Sequence, residues 1–435
     1  MLQTLDPLNL QERLLETYDH ALDHSGINGD RLAARLAALS SIGLTKDGGS
    51  YRLGFSKEEK MAKDLVKGWM KEAGLAVRED EVGNVFGLLR GKQKDGSVVL
   101  SGSHVDTVPN GGHFDGTLGV LAALEVAEAW KEVNYLPDQS YEIVIFSDEE
   151  GARFGGGFIG SEGITGDLDI GDLKQRKDLH GIPSEKVFEL YGLNIEKFGK
   201  AKRDLKKISA FVELHIEQGK QLEKANVSTG IVNGIAGPCW LEFTFSGASG
   251  HAGGTPMNDR NDALVAAGEL IAAVNQLPQQ VSPTAVATIG KLDVYPNGIN
   301  VIPGQVILYV DIRDIHLETR DRLVNLIIEK AEAISKSRRI HLSYQETLRV
   351  KPVPIKQDMQ LKLEQCVKDH NMEPAFLPSG AAHDAMNLGQ YLPVAMIFVR
   401  SKDGISHNPK EWSTLNDCVK SIHVLNDFLK KLLSS

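Results

Sequence analysis

Apolar runs in three parts of the sequence lead directly into side chains that bind metals. His104 and Asp106 follow the run SVVLSGS, Glu149 and Glu150 follow YEIVIFSD, and His215 follows FVEL. Residues two apart on a strand face the same way, so His104 could bind a metal while Asp106 accepts the other ring N–H. Of two adjacent carboxylates near a strand end, one can coordinate a metal while the other holds a water, which suits a general base.

Two more candidate ligands lie in loops. Asp115 lies within GGHFDG, immediately before an apolar helix, and His407 lies in a loop after VAMIFV. Taken alone, each candidate has a simpler interpretation: a structural histidine, an N-cap aspartate or an exposed pair of glutamates. The joint pattern favours a shared site, because His, Asp or Glu follows four separate strands whose ends meet at one edge of an α/β sheet. These side chains suit divalent Zn, Mn or Co, and none of them is a cysteine.

The elements that must position these residues are predicted to form an α/β layer. Short runs rich in β-branched residues at Val98–Leu100, Ile143–Phe146 and Phe211–Leu214 are separated by helical stretches. Strands alternating with helices are typical of such a layer. A strand at Val394–Val399 and a helix at Asn416–Leu433 are predicted to complete it.

A second domain is indicated by the order of elements between Trp240 and Glu346. There the pattern predicts the order βαββαβ, which is that of a ferredoxin-like α+β unit. A glycine-rich stretch leads into this unit and the segment KPVP leads out of it, which indicates hinges. We therefore predict an α/β domain in two parts, residues 1–236 and 350–435, interrupted by an inserted domain, residues 237–349.

Composition excludes several functional classes. The 435 residues are 42% hydrophobic and 24% charged, which predicts two or three globular domains with sizeable cores. The net charge of -10 argues against a nucleic-acid partner. An odd number of cysteines, three, without a CxxC pair, favours reduced thiols and a cytoplasmic location. The chain has no apolar run of 18 residues and an acidic, amphipathic N-terminal stretch, so we expect no membrane span, signal peptide or transit peptide.

Eight motifs give the sequence a specific resemblance from about Arg31 onward. They are GSHVDTV, GGHFDG, SDEEGARF, ELHIEQG, GHAGGTPM, NVIPG, DIR and GISHNP. In this order they resemble the amidase/carbamoylase branch of the M20 metallopeptidase superfamily, which includes N-carbamoyl-L-amino acid hydrolases, allantoate amidohydrolases and some β-ureidopropionases. The resemblance implies a mixed-sheet catalytic domain with two divalent metal ions per subunit, Mn, Co, Zn or Ni. It also implies that the inserted domain is a lid that pairs two subunits in a homodimer.

The resemblance also implies a role for each matched residue. The implied metal ligands are His104, Asp115 as the bridge, Glu150, His215 and His407. Glu149 matches the general base, and Asp106 matches the residue that supports the first histidine. His251 is implied to reach a neighbouring active site and stabilise the oxyanion. The implied substrate-binding residues are Gln218, Asn300, Arg313, which would grip a carboxylate, and His383.

Simpler interpretations and rival functions remain open at this point. Arg313 could be an edge-strand ion-pair partner of Asp311 or Asp314, and His251 could cap a turn. Ala382 stands where the family often has glycine, which leaves the substrate contacts of His383 open.

The rival functions are an M20 peptidase and a metal-binding protein without activity. The peptidase is disfavoured because His215 stands where those enzymes generally have a carboxylate and because the interval from His104 to Asp115 is short. No matched position is missing, which favours an active enzyme over a non-catalytic protein. We therefore predict a hydrolase of N-carbamoyl-L-amino acids or allantoate, and the segment GIAGPCWLEF favours the carbamoylases.

Overall fold

The structure is a computed structural model that describes residues 7–93 and 96–434. Positions 1–6 and 435 lie outside the described residues. They belong to the two ends of the predicted α/β domain, and positions 1–6 begin the amphipathic N-terminal stretch. The chain divides into two compact units. The first takes the chain up to Asn233 together with Ile355–Leu377 and the part from His383 onward. The second consists of Gly234–Pro354 and Pro378–Ala382.

Strands and helices are numbered in chain order along the described residues. The strands are β1 (Ala76–Glu79), β2 (Val85–Leu89), β3 (Val98–His104), β4 (Ser140–Phe146), β5 (Ile208–Ile216), β6 (Thr229–Ile235), β7 (Gly237–Ser246), β8 (Gly250–His251), β9 (Val286–Tyr295), β10 (Val301–Ile302), β11 (Gln305–Asp314), β12 (His341–Arg349), β13 (Val353–Pro354), β14 (Phe376–Ser379) and β15 (Val394–Val399). The helices are α1 (Pro7–Leu15), α2 (Gly29–Ser40), α3 (Lys57–Glu72), α4 (Thr117–Glu132), α5 (Ile159–Thr165), α6 (Ile170–Gln175), α7 (Ser184–Tyr191), α8 (Gln221–Ala225), α9 (Ala263–Val274), α10 (Pro278–Val281), α11 (Leu317–Arg338), α12 (Gln357–Asp369), α13 (Asp384–Leu388) and α14 (Leu415–Leu433).

A mixed sheet forms the centre of the first unit. Its strands lie in the order β1-β2-β4-β3-β5-β15-β6. The four strands β4, β3, β5 and β15 are parallel to their neighbours, whereas β2 and β6 pair antiparallel to them. The predicted mixed α/β fold is therefore confirmed. Because neighbouring parallel strands point the same way, the carboxyl ends of these four strands lie side by side.

The parallel strands are buried because helices cover the sheet. All residues of β3 and β15 are buried, as expected for a sheet with both faces covered. Helix α4 is apolar around most of its circumference, and it packs against β3, β4 and β5. Helix α14 carries an apolar stripe that packs on β15 and β5. These two helices therefore bury the strands that lead to the candidate ligands.

A smaller cluster of buried side chains lies beside the sheet of the first unit. It is built around α5, α6 and α7, with Phe188 in contact with Phe55 and Phe198 at ring-centroid distances of 4.8 and 4.9 Å. The sequence pattern did not predict these helices. They have eight residues or fewer, which is too short for an apolar period to stand out.

The second unit contains a four-stranded antiparallel sheet in the order β12-β7-β11-β9. Helices α9 and α11 pack on this sheet, and their apolar side chains form its core with alternate residues of the strands. The six elements predicted between Trp240 and Glu346 all occur in the predicted order. Strand β11 lies between β7 and β9, so the placement of Arg313 on an edge strand was wrong.

None of the helices in the described part of the chain combines the length and apolarity needed to cross a membrane.

Candidate metal centre

Four parallel strands of the first unit deliver the predicted ligands to one edge of the sheet. His104 is the last residue of β3, and His215 is the next-to-last residue of β5. Glu149 and Glu150 lie in the loop after β4, and His407 lies in the loop after β15. The side chains of the two strand histidines are buried, with 1% of their surface exposed. The sheet order thus explains why residues far apart in the sequence meet.

Asp115 lies at the centre of this group. Its Oδ1 atom is 3.2 Å from His215 Nε2 and 3.5 Å from His104 Nε2. Its Oδ2 atom is 3.5 Å from His407 Nε2, which in turn is 3.4 Å from Glu150 Oε2. The ligand atoms therefore form two groups, His104–Asp115–His215 and Asp115–Glu150–His407, which share only Asp115. One oxygen of the Asp115 carboxylate faces each group.

The main chain orients both buried imidazoles. His104 Nδ1 lies 3.0 Å from the carbonyl oxygen of Asp106, and His215 Nδ1 lies 3.0 Å from that of Ile216. Each Nδ1–H therefore donates to a carbonyl, which leaves Nε2 as the acceptor atom. The main-chain N–H of Gly116 donates to His215 Nε2 over 3.3 Å, in agreement with this tautomer. In the neutral imidazole, each Nε2 atom carries the lone pair that a metal would bind, and at His215 this atom also faces the Gly116 N–H.

Asp106 supports the site by a different contact from the one predicted. Its carboxylate Oδ1 is 3.5 Å from His104 Nδ1, so the hydrogen bond of that ring goes to the Asp106 carbonyl instead. The carboxylate accepts from the main-chain N–H of Glu149 at 3.3 Å and of Glu150 at 3.2 Å. Asp106 thereby ties the loop after β4 to the end of β3.

Burial and charge act in opposite directions on the pKa values of this cluster. Burial alone would lower the pKa of His104, but the Glu149 carboxylate and two neighbouring aspartates hold that pKa well above its usual value. Burial would raise the pKa of Asp115, but the neighbouring imidazoles, His215 foremost, hold it well below its usual value. Burial, reinforced by the charge of Asp115, raises the pKa of Glu150 to about 7. The carboxylates therefore draw positive charge towards this site.

Some of the residues with an unusual backbone conformation lie at this site. Asp148, Gln218 and His407 have φ values of 52°, 56° and 54°, in the left-handed region that residues other than glycine rarely adopt. Such outliers cluster at functional sites, where surrounding contacts hold them. Gly116 also has a positive φ of 60°, and a Cβ atom there would lie 2.4 Å from the His104 ring. Only glycine allows the chain to pass this close to the imidazole.

Two predicted substrate-binding residues lie in the first unit, and both contact predicted ligands. Gln218 Nε2 donates to Asp115 Oδ2 over 2.7 Å. The His383 ring is buried with its centroid 4.5 Å from that of His215. Burial lowers the pKa of His383 well below its usual value, and the nearby His215 lowers it further. The side chains of Gln218 and His383 therefore contact the predicted ligands Asp115 and His215. Their contact with a substrate stays a prediction.

The other three predicted residues lie in the second unit. His251 belongs to β8, and its Nδ1 accepts from the main-chain N–H of Gly253 and Gly254 at 3.2 and 3.0 Å, so the ring caps this turn. Asn300 precedes β10 and has an exposed side chain.

Arg313 makes an ion pair with Asp311, in agreement with the simpler interpretation of this residue. Its Nε and Nη2 atoms donate to the Asp311 carboxylate at 2.9 and 2.7 Å, and Nη1 donates to the Gly380 carbonyl at 2.7 Å. A guanidinium carries five N–H donors, so these bonds leave two for a further acceptor.

Three residues near the candidate ligands were missed by the sequence analysis. Glu411 accepts from the main-chain N–H groups of Phe114 and Asp115, and Ser406 Oγ lies 2.7 Å from Asp115 Oδ2. The side chain of Arg52 is completely buried beside the same loops. Glu411 lies in the segment that also carries His407, but neither spacing nor periodicity indicates that a loop carboxylate turns inward.

The residues present fit a divalent metal. His104 Nε2 is buried and has no hydrogen-bond partner among the described residues, and such an atom is costly unless something binds it. The donors are imidazole nitrogens and carboxylate oxygens, which suit Zn, Mn, Co or Ni. The surrounding carboxylates favour a positive charge. We therefore regard the two groups that share Asp115 as candidate metal-ligand groups.

Comparison with known proteins identifies the family. The sequence profile of peptidase family M20/M25/M40 matches residues 100–431. The chain belongs to this family. The predicted M20 resemblance is thereby confirmed, and the family is metal-dependent.

Similar proteins agree with the predicted branch of the family. The chain is 44% identical to the N-carbamoyl-L-amino acid amidohydrolase of Geobacillus stearothermophilus over 92% of this chain and 97% of that protein. It is 37% identical to the allantoate amidohydrolase of Bacillus subtilis over 91% of this chain and 95% of that protein. A solved structure of a hydantoinase/carbamoylase family amidase from Burkholderia multivorans has a TM-score of 0.87 at 32% identity, covering 94% of this chain and 99% of that one.

Proposed function

We propose that this protein hydrolyses the carbamoyl C–N bond of an N-carbamoyl-L-amino acid, with water as the second substrate. The products are the L-amino acid, ammonia and carbon dioxide. The observation that carries the proposal is the pair of ligand groups that share Asp115, His104 and His215 on one side and Glu150 and His407 on the other. Relatives named N-carbamoyl-L-amino acid amidohydrolases, which match over most of the chain, support this substrate class.

Two divalent ions per subunit, Mn, Co, Zn or Ni, would be held by these two groups, with Asp115 as the shared ligand. When bound, such ions polarise a carbonyl oxygen and lower the pKa of a water. A ureido carbonyl is deactivated by its two nitrogens, so its hydrolysis needs both effects.

Glu149 is proposed as the general base. Its carboxylate is buried and lies 3.6 Å from His104 Nε2, beside the first ligand group. Burial, reinforced by Glu150, raises the pKa of Glu149 well above its usual value. In its ionised form, a carboxylate beside the ligand groups takes a proton from water and returns it to the departing nitrogen.

The inserted domain, residues 237–349, is proposed to bind the substrate carboxylate and to act as a lid and dimerisation domain. Arg313 would grip the carboxylate with the two N–H donors that Asp311 and Gly380 leave over, and Asn300 would add neutral donors. Arg313→Lys should therefore mainly raise KM, because an ammonium lacks the bidentate fork. His251 is proposed to reach the active site of the partner subunit in a homodimer and to stabilise the developing oxyanion.

Hydrolysis of allantoate or N-carbamoyl-β-alanine is the alternative. The allantoate amidohydrolase of Bacillus subtilis is also similar over most of the chain, and both substrates carry a ureido group and a carboxylate. The same ligand groups and the same base would serve either substrate, and a cytoplasmic location is proposed in each case.

A substrate panel tests the proposal. Protein stripped of metal by a chelator is reloaded with Mn, Co, Zn or Ni and assayed for ammonia release. The substrates are N-carbamoyl-L-amino acids, their D-enantiomers, allantoate and N-carbamoyl-β-alanine, with hydrolysis of a dipeptide followed separately. We expect no turnover without metal and the highest kcat/KM with an N-carbamoyl-L-amino acid. Full turnover by protein verified to be metal-free, or preference for the dipeptide, would overturn the proposal.

A further inference from the structure

The carboxylate of Glu411 joins the two loops that carry Asp115 and His407. Its side chain is buried, and Oε1 accepts from the main-chain N–H of Phe114 at 2.8 Å and of Asp115 at 3.1 Å. Its Oε2 lies 2.9 Å from Ser406 Oγ, in the residue next to His407. One side chain thus contacts the backbone of one predicted ligand and the neighbour of another.

Ser406 extends this contact to the Asp115 carboxylate. Its Oγ atom lies 2.7 Å from Asp115 Oδ2 and 2.9 Å from Glu411 Oε2, so it bridges the two side chains. Gln218 Nε2 also donates to Asp115 Oδ2, over 2.7 Å. The orientation of the Asp115 carboxylate is therefore fixed on the side that faces His407.

The close approach of Gly112 shows how tightly Glu411 is enclosed. A Cβ atom on Gly112 would lie 2.0 Å from Glu411 Oε1, so a larger residue there would displace this carboxylate from its hydrogen bonds. The loop GGHFDG therefore packs closely against the Glu411 carboxylate.

We propose that Glu411 is a positioning residue that holds Asp115 and His407 in the arrangement needed to bind metal. The inference rests on the proposed function, because it takes Asp115 as the shared ligand. The side chain of Glu411 supplies the hydrogen bonds that satisfy the main-chain N–H groups of Phe114 and Asp115. Without them, the N–H groups of Phe114 and Asp115 would be buried without a partner, and the loop would move to satisfy them.

Three substitutions separate position from charge. Glu411→Ala removes every contact. Glu411→Gln keeps an oxygen that accepts from Phe114 and Asp115, and its amide donates to Ser406 Oγ, which leaves the Ser406 hydrogen for Asp115. Glu411→Asp keeps the charge but withdraws the carboxylate by one methylene. If the position of the side-chain oxygen determines metal binding, Glu411→Gln should affect metal binding least of the three substitutions.

Asp178→Ala is a matched control for the loss of a buried carboxylate. Asp178 is also buried, and its Oδ1 accepts from two main-chain N–H groups, those of His180 and Ile182, both at 2.9 Å. It lies in the loop between α6 and α7, outside the candidate ligand groups. We expect Asp178→Ala to lower Tm about as much as Glu411→Ala does, without changing metal binding.

The test is titration of metal-free protein with Co²⁺, followed by its visible absorption. Glu411→Ala and Glu411→Asp should bind Co²⁺ about 10-fold to 100-fold more weakly than the unsubstituted protein, as for other groups that orient ligands. Their visible spectra should also change. Glu411→Gln and Asp178→Ala should keep the affinity within about 3-fold, together with the original spectrum. If Glu411→Ala does not fold, the Co²⁺ affinities of Glu411→Gln and Glu411→Asp still distinguish position from charge.

Two results would overturn the inference. In the first, all Glu411 variants bind Co²⁺ as tightly as the unsubstituted protein. In the second, Glu411→Gln binds Co²⁺ weakly and Glu411→Asp binds it normally, which would assign the effect to charge alone. Absence of Co²⁺ binding by the unsubstituted protein would instead overturn the metal centre itself, and with it the proposed function and this inference together.

Discussion

The guanidinium of Arg52 donates to the carbonyl oxygen of Val105, the residue between His104 and Asp106, over 2.9 Å. The same side chain reaches Thr117 Oγ1 at 3.2 Å, at the start of α4 just after the Asp115 loop. Burial lowers the pKa of Arg52 to about 10, although nearby carboxylates, Asp106 foremost, oppose this shift. One buried cation thus binds the end of β3 and the start of α4.

Arg52→Met should destabilise the protein by about 3 kcal/mol, because it removes a side-chain donor from the buried Val105 carbonyl and from the carbonyls of Leu39 and Ile42. The measurement is urea unfolding of the metal-free protein. Arg176→Met is the control, since Arg176 makes a partly exposed ion pair with Asp172 that should contribute about 1 kcal/mol or less. Equal unfolding midpoints for the two variants would refute the role assigned to Arg52.

Glu149→Gln and Glu150→Gln should both lose activity, but for different reasons. Glu150 Oε2 lies 3.4 Å from His407 Nε2 in the second ligand group, so its amide variant should lose metal. The Glu149 variant should retain metal while kcat falls by about 100-fold to 10,000-fold, the usual contribution of a general base. Metal content by elemental analysis, with kcat on the same samples, tests this division. Equal metal contents with equal residual activities would contradict it.

Mixing two inactive variants tests whether His251 serves the partner subunit. If it does, a heterodimer of His251→Ala with Glu149→Gln has one site with both changes and one with neither, so activity returns after subunit exchange. His251→Ala alone should lower kcat by about 100-fold to 1,000-fold, as for one oxyanion donor. The control mixture of Glu149→Gln with Glu150→Gln should stay inactive, because each of its sites carries one change. No recovery despite demonstrated heterodimers would mean that His251 acts within its own chain or not at all.

His423 should make the protein less stable in mild acid. Burial lowers the pKa of His423 to about 4, and its ring stacks on His24 at 4.0 Å and lies 5.6 Å from that of His370, which pairs with Asp427. In the unfolded chain the pKa is about 6.5, so between pH 6.5 and about 4 the unfolded state binds a proton that the folded state does not. Stability conferred by neutral His423 is present above pH 6.5 and is lost as pH falls through this window.

His423→Gln isolates this contribution, because glutamine keeps a hydrogen-bond donor near the Leu22 carbonyl but does not titrate in this range. Urea unfolding at pH 7.5, 6 and 4.5 should show a smaller decline for His423→Gln than for the unsubstituted protein. His180→Gln, at an exposed position, should decline as the unsubstituted protein does. Parallel declines for all three proteins would rule out His423 as a source of the acid sensitivity.

The strands that end at the site could be predicted from the sequence. Parallel strands with both faces covered consist of nearly continuous apolar runs, so their ends are recognisable. The run before His104 and the run before Glu149 were recognisable for this reason, and the sheet order then places their ends side by side. Six of the elements of the inserted unit were recognisable because strand and helix periods alternate there.

The supporting contacts could not be predicted because they join loops far apart in the sequence. The bond from Asp115 N–H to Glu411 spans 296 positions, and no local pattern marks either end. Arg52 gave no signal, since a single arginine in a glycine-containing loop is typical of an exposed residue. A hydrogen bond from the His104 ring to Asp106 was predicted, but with the Asp106 carboxylate as acceptor. In the structure the acceptor is the main-chain carbonyl of Asp106.

The position of β15 in the sheet constrains how the protein is made. This strand lies between β5 and β6, yet it is synthesised after the whole of Gly234–Pro354. On the ribosome, that contiguous stretch is available to fold while the first sheet still lacks a central strand. A nascent chain that has not yet reached β15 carries four candidate ligands but lacks His407. In the proposed two-metal centre, capture of the second ion would therefore be a late event in biogenesis, after nearly the entire chain has emerged.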